Sequence, residues 1–99
     1  MPYYIKNQNQ FIMNIWIIGA GKIAQEYGKV LNSLGYDYTV IGRGEQSALK
    51  YKELIGKEVI TGGLEAFLAT KPLAADKAIV ATNLETLSQN TIQLVNYGV

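Results

Sequence analysis

The chain has 99 residues, 48% of them hydrophobic and 17% charged, with a formal net charge of +1. That is the composition of one small globular domain, and it argues against a disordered chain, a nucleic-acid binder or a charge-driven membrane binder. Cysteine and histidine are both missing, so these residues form no disulfide, no thiolate or imidazole metal site and no cysteine or histidine catalytic centre.

Residues 1–12 are polar, rich in Asn and Gln and without a period, and read as a flexible leader. They lack the apolar core of a secretory signal. No apolar run approaches the roughly 20 residues of a membrane span, and a cytoplasmic location is expected. Met13 stands where the first strand should begin and is a second candidate start of the protein.

From Met13 onward strand and helix alternate. A continuous apolar run, Met13 to Ile18, predicts a strand buried on both faces of a parallel sheet. A helix follows over Lys22 to Leu34, with Ile23, Tyr27, Val30, Leu31 and Leu34 as its inward stripe and Gly35 as its stop. A second strand is expected over Asp37 to Ile41 and a second helix over Gln46 to Leu54, closed by Gly56. A short strand, Glu58 to Thr61, then leads through Gly62-Gly63 into a small helix, Leu64 to Ala69, broken by Lys71-Pro72. The last strand is Lys77 to Ala81. The last helix is Glu85 to Tyr97, with Leu87, Thr91, Leu94 and Val95 inward and Gly98 as its end. Tyr27 is expected in the core. Tyr36 and Tyr38 flank the second strand as edge or packing residues, and Asp76 and Lys77 form a solvated strand start. This order predicts an α/β, Rossmann-like, doubly wound parallel sheet of about four strands with flanking helices.

Gly98-Val99 reads as a helix stop and the first residue of a further strand. The sheet is therefore expected to be incomplete, with residues 13–99 the front of a longer two-domain protein. An uncovered sheet edge would make such a piece marginally stable, and a homo-oligomer is one way to cover it.

Three segments carry chemistry. In Gly19-Ala20-Gly21-Lys22-Ile23-Ala24 a strand runs into a G-x-G-x-x-A turn that opens a helix, the phosphate-binding fingerprint of a dinucleotide fold. Gly19 permits the tight turn, Gly21 admits a pyrophosphate to the main chain, and Ala24 lets helix and strand pack closely. Free N–H groups at the helix start point at the anion. Lys22 lies near the phosphates or in solvent, because its spacing is not that of a Walker loop.

The second segment is Gly42-Arg43-Gly44, at the ribose position about 20 residues beyond the glycines. A carboxylate there would favour NAD(H). An arginine holds a 2′-phosphate, so NADP(H) is expected over NAD(H). Glu45 is the nearby carboxylate able to turn to the ribose instead. The third segment is Ala81-Thr82-Asn83-Leu84-Glu85-Thr86. It follows the last strand and should face the nicotinamide half, with Thr82, Asn83 and Glu85 as polar contacts. Asn83 also fits a helix N-cap, and Glu85 suits the first turn of a helix.

Together with Gly62-Gly63-Leu64-Glu65-Ala66-Phe67-Leu68, these segments resemble the glucose–fructose oxidoreductase/inositol dehydrogenase (Gfo/Idh/MocA) family over Met13 to Val99. The sequence departs from that pattern at Asn83-Leu84, where prolines are usual, and at Leu87, where a histidine is usual. The resemblance implies the NAD(P)-binding domain of an oxidoreductase acting on a sugar, polyol or nucleotide sugar. Its Glu-Lys-Pro motif and catalytic half would lie beyond these residues. Two other readings stand beside it. One is a ketopantoate-reductase-like protein, which Ile41 to Glu45 fits but Asn83 does not. The other is a stand-alone NAD(P)-sensing module without catalysis.

Overall fold

The structure is a computed structural model that describes residues 13–99, apart from the side chains of Leu84 and Glu85. The expected leader, residues 1–12, lies outside the described residues. The elements run β1 (Ile15–Ile18), α1 (Lys22–Leu34), β2 (Thr39–Ile41), α2 (Glu45–Ile55), β3 (Val59–Ile60), α3 (Gly63–Ala69), β4 (Lys77–Val80) and α4 (Leu84–Tyr97). The four strands are all parallel, in the order β3-β2-β1-β4. This is the Rossmann-like α/β fold read from the sequence.

Strand β1 is central, and its four residues are all buried. Alternation divides them between two cores. Ile15 and Ile17 join Val40 beneath Ala24 and Leu31 of α1 and Tyr51 of α2. Trp16 and Ile18 join Ile41 against Leu64 of α3 and Leu94 of α4. Helices α1 and α2 therefore cover one face of the sheet, and α3 and α4 the other. Phe67 meets the Trp16 ring edge-on at a centroid distance of 5.0 Å. Tyr97 lies against the same ring, and its hydroxyl donates to the Pro72 carbonyl.

Strand β4 is an edge. Its start is held by Asn14, whose N–H donates to Asp76 Oδ2 at 2.8 Å and whose carbonyl accepts from the Asp76 N–H. The exposed Asp76 thus locks strand register as well as meeting solvent. Among the described residues no helix is long and apolar enough to cross a membrane.

Helix α1 has the expected bounds but not the expected inward face. Ala24, Gly28 and Leu31 are buried. Ile23 is 62% exposed, Val30 53%, Leu34 64% and Tyr27, expected in the core, 43%. Small residues face inward because α1 sits close to both the sheet and α2. A Cβ on Gly28 would lie 2.2 Å from Tyr51 Oη. Tyr51 is fully buried, its hydroxyl donates to the Ala24 carbonyl at 3.0 Å, and burial pushes its pKa up. Tyr38 is buried too and donates to Asn32 Oδ1 at 3.0 Å, whereas Tyr36 is exposed. Helix α4 departs from expectation in the same way. Leu94 is buried and Leu87 half-buried, but Thr91 and Val95 are exposed because α4 reaches past the edge strand.

Gly28→Ala is expected to cost about 1–3 kcal/mol, since the methyl overpacks the α1–α2 contact. Tyr51→Phe removes the colliding oxygen and one hydrogen bond, at a cost of about 1 kcal/mol. Urea denaturation of the two single variants and the double variant checks this. The double variant should lose clearly less than the sum of the singles. Strict additivity would mean that the two residues do not share a contact.

Candidate dinucleotide cleft

The carboxyl ends of β1, β2 and β4 open into one cleft of about 300 Å³. It lies at the switch point where the chain, having wound outward from β1 to β3, returns to place β4 on the other side of β1. Open α/β sheets bind ligands at that point. The structure brings most of the expected residues together there. The β1 turn supplies Gly19, Ala20 and Gly21, the end of β2 supplies Gly42, Arg43 and Gly44, and the loop after β4 supplies Ala81, Thr82 and Asn83.

Gly19 makes this convergence possible. Its φ of +119° is closed to most side chains, and a Cβ there would lie 2.6 Å from the Ala81 carbonyl oxygen. Its N–H donates to the Ile41 carbonyl at 2.7 Å. One residue thus joins the ends of three strands. Gly42 is tight for a similar reason, since its Cβ would meet Ala20 Cβ at 3.1 Å and Val59 Cγ1 at 3.1 Å.

Gly21 has neither constraint. Its backbone is extended, with φ −84° and ψ −161°, and a Cβ built there would meet nothing within 4 Å. Packing within the protein gives no reason for glycine at this position, but close approach of a ligand does. Gly21 is also the N-cap of α1 and makes no side-chain cap. The first bond of the helix is Gln25 N–H to the Gly21 carbonyl, so the N–H groups of Lys22, Ile23 and Ala24 have no partner within the helix. Helix α2 begins alike, on Gly44, with open space at its Cα and no side-chain cap. Two helix N-termini with uncovered amides therefore border one cleft, the arrangement that receives anionic oxygens.

Some expected residues stand elsewhere. The side chains of Lys22 and Ile23 are exposed and do not line the cleft, so their part there is limited to backbone N–H groups. Glu85 belongs to the first turn of α4, and its side chain is outside the described set. Asn83 caps α4, with Oδ1 accepting from the Thr86 N–H at 3.1 Å. Glu45 lines a separate groove with Leu49, Lys52 and Val59.

The cleft also holds residues that sequence reasoning missed. Ser47 lies in the first turn of α2, Gly63 and Leu64 begin α3, and Asn90 comes from α4, on the same helix face as Thr86 of the expected third segment. The spacing of Asn83, Thr86 and Asn90, i, i+3 and i+7, places them on one face of a helix and was available as a signal. The Asn90 amide donates to Thr82 Oγ1 at 3.2 Å and ties α4 to the loop. Among the described lining residues Arg43 carries the one formal charge. The rest offer amides, hydroxyls and small apolar surfaces. Such a lining suits a polyanionic ligand, and its described residues include no carboxylate or amine for proton transfer at neutral pH.

The two turn glycines should respond differently to alanine. Gly19→Ala is expected to destabilise the fold by about 1–3 kcal/mol, through strain at positive φ. Gly21→Ala should cost about 1 kcal/mol or less, the scale of an N-cap exchange. Thermal and urea unfolding of both variants checks the contrast. A Gly21→Ala protein as unstable as Gly19→Ala would mean that the open space above Gly21 is not there.

Comparison with known proteins gives one family. The profile of the pyridine nucleotide-disulphide oxidoreductase family matches residues 14–77, which span β1 to the start of β4. No curated protein and no solved structure matches the chain. The 99 residues contain no cysteine, so disulfide chemistry is not carried by these residues. The nucleotide-binding geometry is carried by them. With its G-x-G-x-x-A turn at a parallel-sheet switch point, the chain belongs to the pyridine nucleotide-disulphide oxidoreductase family and is a Rossmann-type, pyridine-nucleotide-binding oxidoreductase domain.

Proposed function

We propose that this chain binds NADP(H) in preference to NAD(H), as the cofactor half of an oxidoreductase acting on a sugar, polyol or nucleotide sugar. The observation that carries the dinucleotide reading is Gly21, a glycine that no internal contact explains, set beside unpartnered amides at the mouth of the cleft. In this reading the amides of residues 21–24 hold the pyrophosphate. Arg43 and the Ser47 hydroxyl, with the open N-terminus of α2, receive the ribose 2′-phosphate. Thr82 and Asn83 border the path toward the nicotinamide, and small Ala81 leaves room for it.

The cofactor, when bound, supplies hydride transfer. The residues of this chain hold and orient it. The preference for NADP(H) is supported by Arg43 at the ribose position, by Ser47 one helical turn further on, and by the turning of Glu45 into another groove. The sugar-like substrate rests on the resemblance of Gly62 to Leu68 and Ile79 to Glu85 to the sugar and inositol dehydrogenases. The family match supports the nucleotide and the oxidoreductase class and leaves the substrate to this resemblance.

Calorimetric titration with both cofactors tests the proposal. Hydrogen bonds to a charged group contribute about 1.5–3 kcal/mol each, so NADP⁺ should bind roughly 10- to 100-fold more tightly than NAD⁺. Arg43→Ala should close most of that gap by weakening NADP⁺ and leave NAD⁺ nearly unchanged. Equal affinity of the native chain for the two cofactors would contradict the NADP assignment. Binding of neither would contradict the dinucleotide reading itself.

A further inference from the structure

The loop after β4 and helix α4 meet at Thr82 and Asn90, two half-buried polar residues that both line the cleft. We propose that Asn90 is a positioning residue for Thr82. It holds the Thr82 hydroxyl so that the hydroxyl hydrogen is left to donate to an acceptor oxygen on the nicotinamide side of the dinucleotide. This role rests on the dinucleotide reading and adds to it one hydrogen-bond donor and the side chain that aims it.

Thr82 is fixed from three directions. The Ala81 N–H donates to the Ile18 carbonyl at 2.8 Å, so the strand ladder runs up to the residue before it. A Cβ on Gly19 would lie 3.4 Å from Thr82 Cγ2, so the threonine methyl lies beside the bare glycine turn. The hydroxyl is turned to α4, where Asn90 Nδ2 donates to Thr82 Oγ1 at 3.2 Å.

The direction of that last bond decides the chemistry. A threonine hydroxyl carries one hydrogen and two lone pairs. The Asn90 amide nitrogen only donates, so it occupies a lone pair and leaves the hydrogen uncommitted. Among the described residues Asn90 is the one partner of this hydroxyl. A carboxylate at position 90 would do the reverse, accepting the hydrogen and drawing it away from the cleft.

The place of the pair names the half of the ligand it serves. In the order β3-β2-β1-β4 the ends of β2 and β4 stand on opposite sides of β1. Arg43 follows β2 and Thr82 follows β4, with the Gly19 turn between them. A dinucleotide whose diphosphate lies at that turn and whose 2′-phosphate lies at Arg43 has its other half beside Thr82. Its phosphate and ribose oxygens are the acceptors that a free hydroxyl hydrogen takes.

Calorimetric titration of the full chain tests this with NADP⁺ and with 2′,5′-ADP, which lacks the nicotinamide half. The variants are Thr82→Val, Thr82→Ser, Asn90→Leu and the double variant of Thr82→Val with Asn90→Leu, each shown to be folded by circular dichroism. Thr82→Val should weaken NADP⁺ about ten-fold, the scale of one hydrogen bond, and Thr82→Ser, which keeps the hydroxyl, should stay within about three-fold of the native chain. Asn90→Leu should weaken NADP⁺ about three- to five-fold in the native chain and by no more than about two-fold once Thr82 is valine, because it acts through that hydroxyl. The affinity for 2′,5′-ADP should stay within about two-fold throughout, which general damage to the cleft would not allow. Overturning results are a harmless Thr82→Val, a serine that rescues nothing, an Asn90→Leu effect that persists beside valine, or equal losses for the two ligands. Each of these leaves the dinucleotide reading standing. A native chain that binds neither ligand overturns both.

Discussion

The structure turns on the closeness of three chain segments at Gly19. The end of β1 bonds through the Gly19 N–H to Ile41 of β2, while the carbonyl of Ala81, after β4, occupies the space where a side chain would be. No residue with a Cβ satisfies both contacts at a φ of +119°. Because the three strand ends meet there, α1 leaves the sheet at once and its first amides stand over the cleft. The anion site proposed here follows from backbone geometry, with hardly any side chain needed to build it.

The same economy governs the packing. Helix α1 approaches the sheet and α2 on Ala24 and Gly28, and the space they leave is filled by the large, fully buried ring of Tyr51 from the neighbouring helix. The opposite face is built around Trp16, Phe67 and Tyr97. A small domain gains rigidity from such pairs of large and small residues, because close packing leaves few alternative arrangements. Rigidity is what a backbone cradle requires. Amides held in place before a phosphate arrives bind it without first being ordered.

Much of this was legible in the sequence. The alternation of elements, the bounds of α1, the G-x-G-x-x-A turn and the Arg43 position all follow from local pattern, because each depends on residues adjacent in the chain. The inward face of α1 was misread. Hydrophobicity marks Ile23, Tyr27, Val30 and Leu34, but the contact is so close that size decides, and the large residues are displaced to the outer flank. The α4 stripe was misread at Thr91 and Val95 because, among the described residues, β4 is an edge with no strand beyond it. Ser47 and Gly63 went unnoticed for a different reason. They reach the cleft only because α2, α3 and α4 all start at one end of the sheet, and that convergence is a property of the assembled fold.

The central claim is that main-chain amides from Gly21 to Ala24 receive a diphosphate. Amide chemical shifts report on it most directly, followed in a ¹⁵N-labelled chain as NADP⁺ is added. The account predicts saturable shifts at Gly21, Lys22, Ile23 and Ala24, with further shifts at Gly44 and Ser47 and little change on the outer flank of α1. Saturable shifts that bypass residues 21–24, or none at millimolar nucleotide, would contradict it.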